Sequence, residues 1–160
     1  MPMPYEALPD SINRELVFDF FWKFAKLECV LKREGYLTTG RNGEAKPDWV
    51  KFSTTIQDRL NEVHISDFKE AIQKLITCPP RCQMVRENEL IWQQLERRSD
   101  ESEAAFVVRL VRTARNNLFH GGKYQDGEIT EIARDNAILE ASLKILEGFY
   151  ELHNAYRMKL

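Results

Sequence analysis

The chain has 160 residues, with 25 acidic and 23 basic side chains, a net charge of −2, 43% hydrophobic and 30% charged residues. This is an ordinary globular composition, long enough to bury about two thirds of the unfolded surface in one domain. It excludes a protein coated in basic residues that grips nucleic acid everywhere, but leaves room for one local basic site.

The start, Met1 to Asp10, has no basic region followed by an apolar run, so no signal peptide is expected. Helix one is predicted from about Ser11 to Glu34, capped by Asp10 or Ser11 and stopped by Gly35. Leu16, Phe20, Phe24, Leu27 and Leu31 fall at helical spacing and should face the core. Asp19, Lys23, Lys26 and Glu28 interrupt the stretch from Val17 to Leu31, which excludes a membrane span there. The cytoplasm is the expected compartment. Tyr36 to Pro47, with Gly40 and Gly43, reads as a loop. A second helix is expected over Asp48 to Glu62, and a third over Ser66 to Ile76 behind a serine cap. Pro79-Pro80 breaks the pattern, and Gln83 to Leu90 reads as irregular with a short extended piece. Trp92 to Glu96 suits a helical turn, with further helices over Glu101 to Phe119 and Thr130 to about Tyr156. The expected fold class is all-α, a bundle of about four to five helices forming a single domain over residues 1–160.

Cys29, Cys78 and Cys82 are an odd number, which does not suggest a disulfide framework. Cys78 and Cys82 flank Pro79-Pro80-Arg81, but no second ligand pair stands at a zinc-site spacing and His64 is isolated. Reduced thiols near a turn are expected, with no metal and no cofactor.

The most informative segment runs from Arg115 to Tyr124: Arg-Asn-Asn-Leu-Phe-His-Gly-Gly-Lys-Tyr. Val107, Leu110, Val111, Ala114 and Leu118 form the apolar stripe of the helix leading into it. Arg109, Arg112, Asn116 and His120 line a second stripe, and Arg115 falls at the border of the core face. Between Phe106 and Tyr124 stand four basic residues and no acidic one. A helix C-terminus also favours a protonated imidazole. The set suits an anionic phosphate: a permanent cation, a group that titrates near neutrality, and an amide to orient either. Arg59 and His64 repeat the bare spacing of arginine and histidine, but Glu62 lies between them, Asp58 and Asp67 flank them, and no glycine stop follows. That second copy reads as an exposed helix end. His153, on the last helix without suitable neighbours, reads as a surface or interface histidine, and Trp49 and Trp92 as core or interface aromatics.

Arg115, Asn116 and His120 match position by position the motif of the HEPN superfamily, small helical domains named for higher eukaryotic and prokaryotic nucleotide binding. The string from Val111 to Lys123 resembles a prokaryotic, partly plasmid-borne branch. The aromatic first helix from Phe20 to Glu28, Pro47-Asp48-Trp49, and Pro79-Pro80 followed by Trp92 are similar to that branch too. The resemblance implies a HEPN-like bundle that forms a homodimer, with two motif-bearing helix ends in one cleft. It implies a metal-independent endoribonuclease acting on RNA in toxin–antitoxin or anti-phage defence, with an antitoxin protein as a partner. The 2′-hydroxyl would attack the adjacent phosphorus and leave a 2′,3′-cyclic phosphate and a 5′-hydroxyl. His120 would serve as general base or acid, Arg115 would hold the phosphate and its developing charge, and Asn116 would position one of them. Arg112 and Lys123 are candidates for flanking phosphates, and Glu28 for a partner that orients Arg115 or Arg112. The alternative is a non-catalytic HEPN-like dimer that binds RNA, a nucleotide or a protein, since a fold does not guarantee an activity.

Overall fold

The computed structural model describes residues 13–119 and 129–157. Helix α1 spans Arg14–Arg33. Its cap is Asn13, whose side-chain oxygen accepts the Leu16 N–H at 3.2 Å; the expected Asp10 and Ser11 lie outside the described residues. The stop is at Gly35 as expected: its φ of 90° lets the Tyr36 N–H turn back to the Leu31 carbonyl at 2.9 Å. Phe20, Phe24, Leu27 and Leu31 are buried, each three or four residues from the next.

The segment expected as a loop is a small antiparallel hairpin, β1 (Leu37–Thr39) with β2 (Ala45–Pro47), Leu37 facing Pro47. The hairpin closes with a Gly40 N–H to Glu44 carbonyl bond of 2.8 Å, and Gly43 supplies a φ of 87° within the turn. Asp48 then caps α2 (Trp49–Ile56) by accepting the Lys51 N–H at 2.9 Å, and the chain tightens into a 3₁₀ segment, Gln57–Glu62. Helix α3 covers Phe68–Thr77. Its N-cap is Asp67, in the left-handed region with φ 65° and making no side-chain cap bond, rather than the expected serine.

A second hairpin replaces the irregular piece and the helical turn expected around Trp92. Strands β3 (Cys82–Arg86) and β4 (Glu89–Gln93) pair antiparallel, with Gln83 opposite Trp92. Glu87 and Asn88 both have positive φ, the backbone of a two-residue turn whose twist matches that of the strands. Helices α4 (Glu103–Phe119) and α5 (Ile129–Arg157) complete the order. The fold is therefore mostly helical with two small antiparallel sheets, not purely all-α.

Helix α5 packs against both α1 and α3, while α4 packs against α2. Between them Phe20, Phe52, Phe68, Phe149, Leu27 and Leu110 are almost wholly buried. Phe52 meets Phe149 edge-on at 5.4 Å and Tyr36 at 5.5 Å, the T-shaped arrangement that aromatic quadrupoles favour. No helix among the described residues is long and apolar enough to cross a membrane.

Candidate functional site

Burial of one stripe sets the rotation of α4. Val107, Leu110, Val111 and Ala114 face the core, as their spacing requires, and Leu118 is half-buried. That rotation leaves Arg112 and Asn116 exposed and places Arg115 at the border, its side chain 29% exposed.

Arg115 lies against α1. Its guanidinium carbon sits 5.1 Å from the centre of the Phe24 ring and 5.8 Å from that of Phe119. A cation over an aromatic face is attracted by the ring quadrupole. The one carboxylate beside it is Glu28 among the described residues, with Nη2 to Oε1 at 3.6 Å. That is an ion pair at longer than hydrogen-bond length. The Arg115 Nε is buried with no hydrogen-bond partner among the described residues. Arg112 stands over the Trp49 ring at 5.7 Å. Although Arg112 is exposed as a whole residue, partial desolvation of its guanidinium and the adjacent Arg115 charge pull it below its ordinary pKa, with Glu28 opposing. Two guanidiniums thus stand near one carboxylate, Glu28, which pairs loosely with Arg115. An anion placed between them would relieve their repulsion.

Arg109 does not belong to this basic site, although its spacing put it on the same stripe. Its Nε and Nη2 donate to the two oxygens of Glu101 at 2.8 Å each, and Nη2 also donates to the Glu96 carbonyl at 2.7 Å. The bond from Arg109 holds the Glu101 carboxyl below its usual range, and Glu101 in turn raises Arg109. This is a closed, two-pronged pair that ties the start of α4 to the preceding loop.

Among the two asparagines, Asn117 is the buried one, 5% exposed, and its Nδ2 donates to the Arg81 carbonyl at 2.8 Å. It fixes α4 to the chain just before β3. Asn116 faces outward. The sequence pattern alone did not flag Asn117 or the aromatic rings around Arg115. Phe119, one helical turn beyond Arg115, was the available signal. His120 and Lys123 lie outside the described residues.

The second arginine–histidine spacing does not converge on a site. Arg59 pairs with Glu62 at 3.0 Å, while His64 Nδ1 lies 2.7 Å from Glu151 of α5. The Glu151 carboxylate also accepts the backbone N–H of His64 at 2.8 Å and of Ile65 at 3.1 Å, fastening the loop before α3 onto α5. His153 is 6% exposed, which corrects the surface or interface reading: α5 is covered on two sides, by α1 and α3. Trp49 is buried in the core. The three cysteines are free, and Cys78 Sγ accepts from Arg134 Nε at 3.3 Å. Among the described residues no group of three or more histidine, cysteine or acidic side chains is placed to hold a metal.

Comparison of the chain with protein-family models, with curated proteins and with solved structures gives no match.

Proposed function

We propose that this chain is a metal-independent endoribonuclease of HEPN type that cleaves RNA by attack of the 2′-hydroxyl on the adjacent phosphorus. The observation that carries this reading is the Arg112–Arg115 pair at the end of α4. Two permanent cations stand near one carboxylate, Glu28, which pairs loosely with Arg115, on the helix that leads toward His120. Arg115 holds a non-bridging phosphate oxygen and stabilises the charge that builds on the equatorial oxygens. His120 removes the 2′-hydroxyl proton or returns one to the departing 5′-oxygen, giving a 2′,3′-cyclic phosphate and a 5′-hydroxyl. Asn116 orients one of these groups, and Arg112 and Lys123 contact flanking phosphates. Residues five apart on an ideal helix point about 140° away from each other. Arg115 and His120 would therefore converge either through a bend at Gly121 or across a composite site in a homodimer. Toxin–antitoxin or anti-phage defence is the setting this chemistry suits, with an antitoxin protein as the natural partner.

A second reading has its own support. Arg115 bridges α1 and α4 through Phe24 and Glu28, as a residue that merely holds two helices together would. The chain would then be a non-catalytic dimer that binds RNA, a nucleotide or a protein. His120→Ala and Arg115→Ala separate the two. The enzyme reading expects both variants to stay folded and dimeric by thermal melting and sedimentation, and to lose RNA cleavage. Loss of stability or of the dimer, with no activity to lose in the parent protein, contradicts it.

A further inference from the structure

Beside Arg115 the structure has a feature that phosphate chemistry does not use. A cleft of about 180 Å³ opens between α1 and α4, lined by Val17, Phe20, Phe21, Arg115, Leu118 and Phe119. Phe21 and Phe119 meet across it, with ring centres 5.4 Å apart, and both are exposed, at 41% and 56%. Phenylalanines on opposite helices gain nothing by standing in water, and Phe20, Phe24, Phe52, Phe68, Phe106 and Phe149 are all buried. The guanidinium of Arg115 lies 5.8 Å from the Phe119 ring and contributes the one charged group of the lining among the described residues. The cleft therefore joins an apolar aromatic wall to a cation, the two surfaces that a nucleotide presents in reverse as a flat base and an anionic phosphate.

We propose that the Phe21–Phe119 pair is a stacking platform for one unpaired nucleobase of the RNA, next to the phosphate held by Arg115. The proposal rests on the ribonuclease reading and adds to it a preference for single-stranded substrate. A base stacked on Phe119 keeps its hydrogen-bonding edge away from the apolar wall, so the platform reads strandedness rather than sequence. A base paired within a duplex cannot reach it without leaving its own stack. The excess of positive charge at Arg112 and Arg115 over Glu28 supplies the complementary partner for the attached phosphate. The exposed ring of Phe18, on which Trp22 stacks at 6.4 Å, lies beside Arg14, Glu15 and Asp19, where two carboxylates outnumber one guanidinium, a poorer place for a phosphate chain. This restricts the platform to the end near Arg115.

The test measures binding by fluorescence anisotropy of a labelled single-stranded oligoribonucleotide, and of its duplex, to the full chain carrying His120→Ala so that the RNA is not consumed. Into this background Phe119→Leu, Phe119→Tyr and Phe21→Ala are introduced. Because both rings are exposed, the substitutions leave the core intact, which melting curves check. Stacking of one base is worth enough that Phe119→Leu and Phe21→Ala should weaken single-strand binding by about five- to a hundredfold. Phe119→Tyr should stay within about twofold, because a phenol ring stacks as a phenyl ring does. Duplex binding should be weaker throughout and insensitive to all three changes. If Phe119→Leu binds the single strand as tightly as its parent while wild-type protein still cuts RNA, the platform is wrong and the ribonuclease reading survives. A fall in sedimenting mass in Phe119→Leu would assign the rings to contact with a second copy and overturn the platform as well. RNA that is neither bound nor cut by wild-type protein removes both proposals together.

Discussion

Arg109 and Arg115 lie on the same helix, and their neighbours give them opposite uses. Arg109 is locked in two parallel hydrogen bonds to Glu101, whose side chain is only 9% exposed. Arg109→Ala should therefore cost stability, about 2 kcal/mol in urea denaturation, and leave RNA affinity unchanged apart from that loss. The pair also predicts an acid dependence. Glu101 is held below its ordinary carboxylate value of 4.5 in the folded protein, so its stabilisation is present above that value. It is lost as the pH falls through the depressed folded value. Glu101→Gln should flatten the melting temperature against pH on the acid side, and an unchanged slope would contradict the assignment. The one ion pair of Arg115 among the described residues is the looser one with Glu28. Glu28→Gln should leave the melting temperature nearly unchanged and raise RNA affinity by up to about fivefold at low salt, the range of a weak, partly exposed ion pair. If the change instead lowers stability and leaves affinity alone, Arg115 is a helix-holding residue. Of this contrast the sequence offered Glu28 as a partner for Arg115 or Arg112, but not the closed pair of Arg109 with Glu101. Glu101 precedes α4 and reaches Arg109 through a loop turn, whereas Glu28 comes from another helix altogether.

The helices were legible in the sequence because each keeps an apolar stripe at a 3.6-residue period, and α1, α3 and α4 bury the residues that period selects. The two hairpins were not. Strands β1 and β2 have three residues each and lie almost wholly exposed, so no alternation of apolar and polar residues marks them. The turn between β3 and β4 uses Glu87 and Asn88 at positive φ, without the glycine that usually announces such a turn. Helix α5 hid the burial of His153 for a related reason: covered by α1 and α3, it has no single apolar face to read. Close approach of α3 and α5 leads to a sharper prediction. A Cβ at Gly148 would stand 2.2 Å from the buried ring of Phe68. Alanine is about 1 kcal/mol better than glycine in a helix interior, but overpacking costs about 1–3 kcal/mol. Gly148→Ala should be destabilising by up to about 2 kcal/mol in thermal melts, and Phe68→Leu in the same chain should relieve part of that loss. A stabilising Gly148→Ala would mean that the helices separate freely at this crossing.

At the scale of the whole molecule, the helical core presents the end of α4 beside the aromatic face of α1, and this placement brings Arg112 and Arg115 together with Glu28, Phe21 and Phe119. The arginines and the outward asparagine were visible in the sequence because α4 has a clear inner stripe that fixes where every other residue points. The aromatic wall was not, since it forms only when α1 and α4 meet. The small net charge of −2 predicts that RNA affinity comes from a few contacts rather than from the whole surface. The logarithm of the binding constant should then fall with the logarithm of salt at a slope of about two to three phosphates, given a coefficient of about 0.7 per contact on single strands. A slope several times steeper would place the RNA on a broader surface than the end of α4. The most direct test of the central claim is the chemistry of the product ends. Purified wild-type protein, His120→Ala and Arg115→Ala are incubated with RNA in EDTA, and the fragments are resolved on a denaturing gel. The account predicts discrete fragments from the wild type alone, with 5′-hydroxyls that a polynucleotide kinase labels directly and 3′ ends closed as 2′,3′-cyclic phosphates. Intact RNA in every lane, fragments that persist in His120→Ala, or 5′-phosphate ends would contradict it.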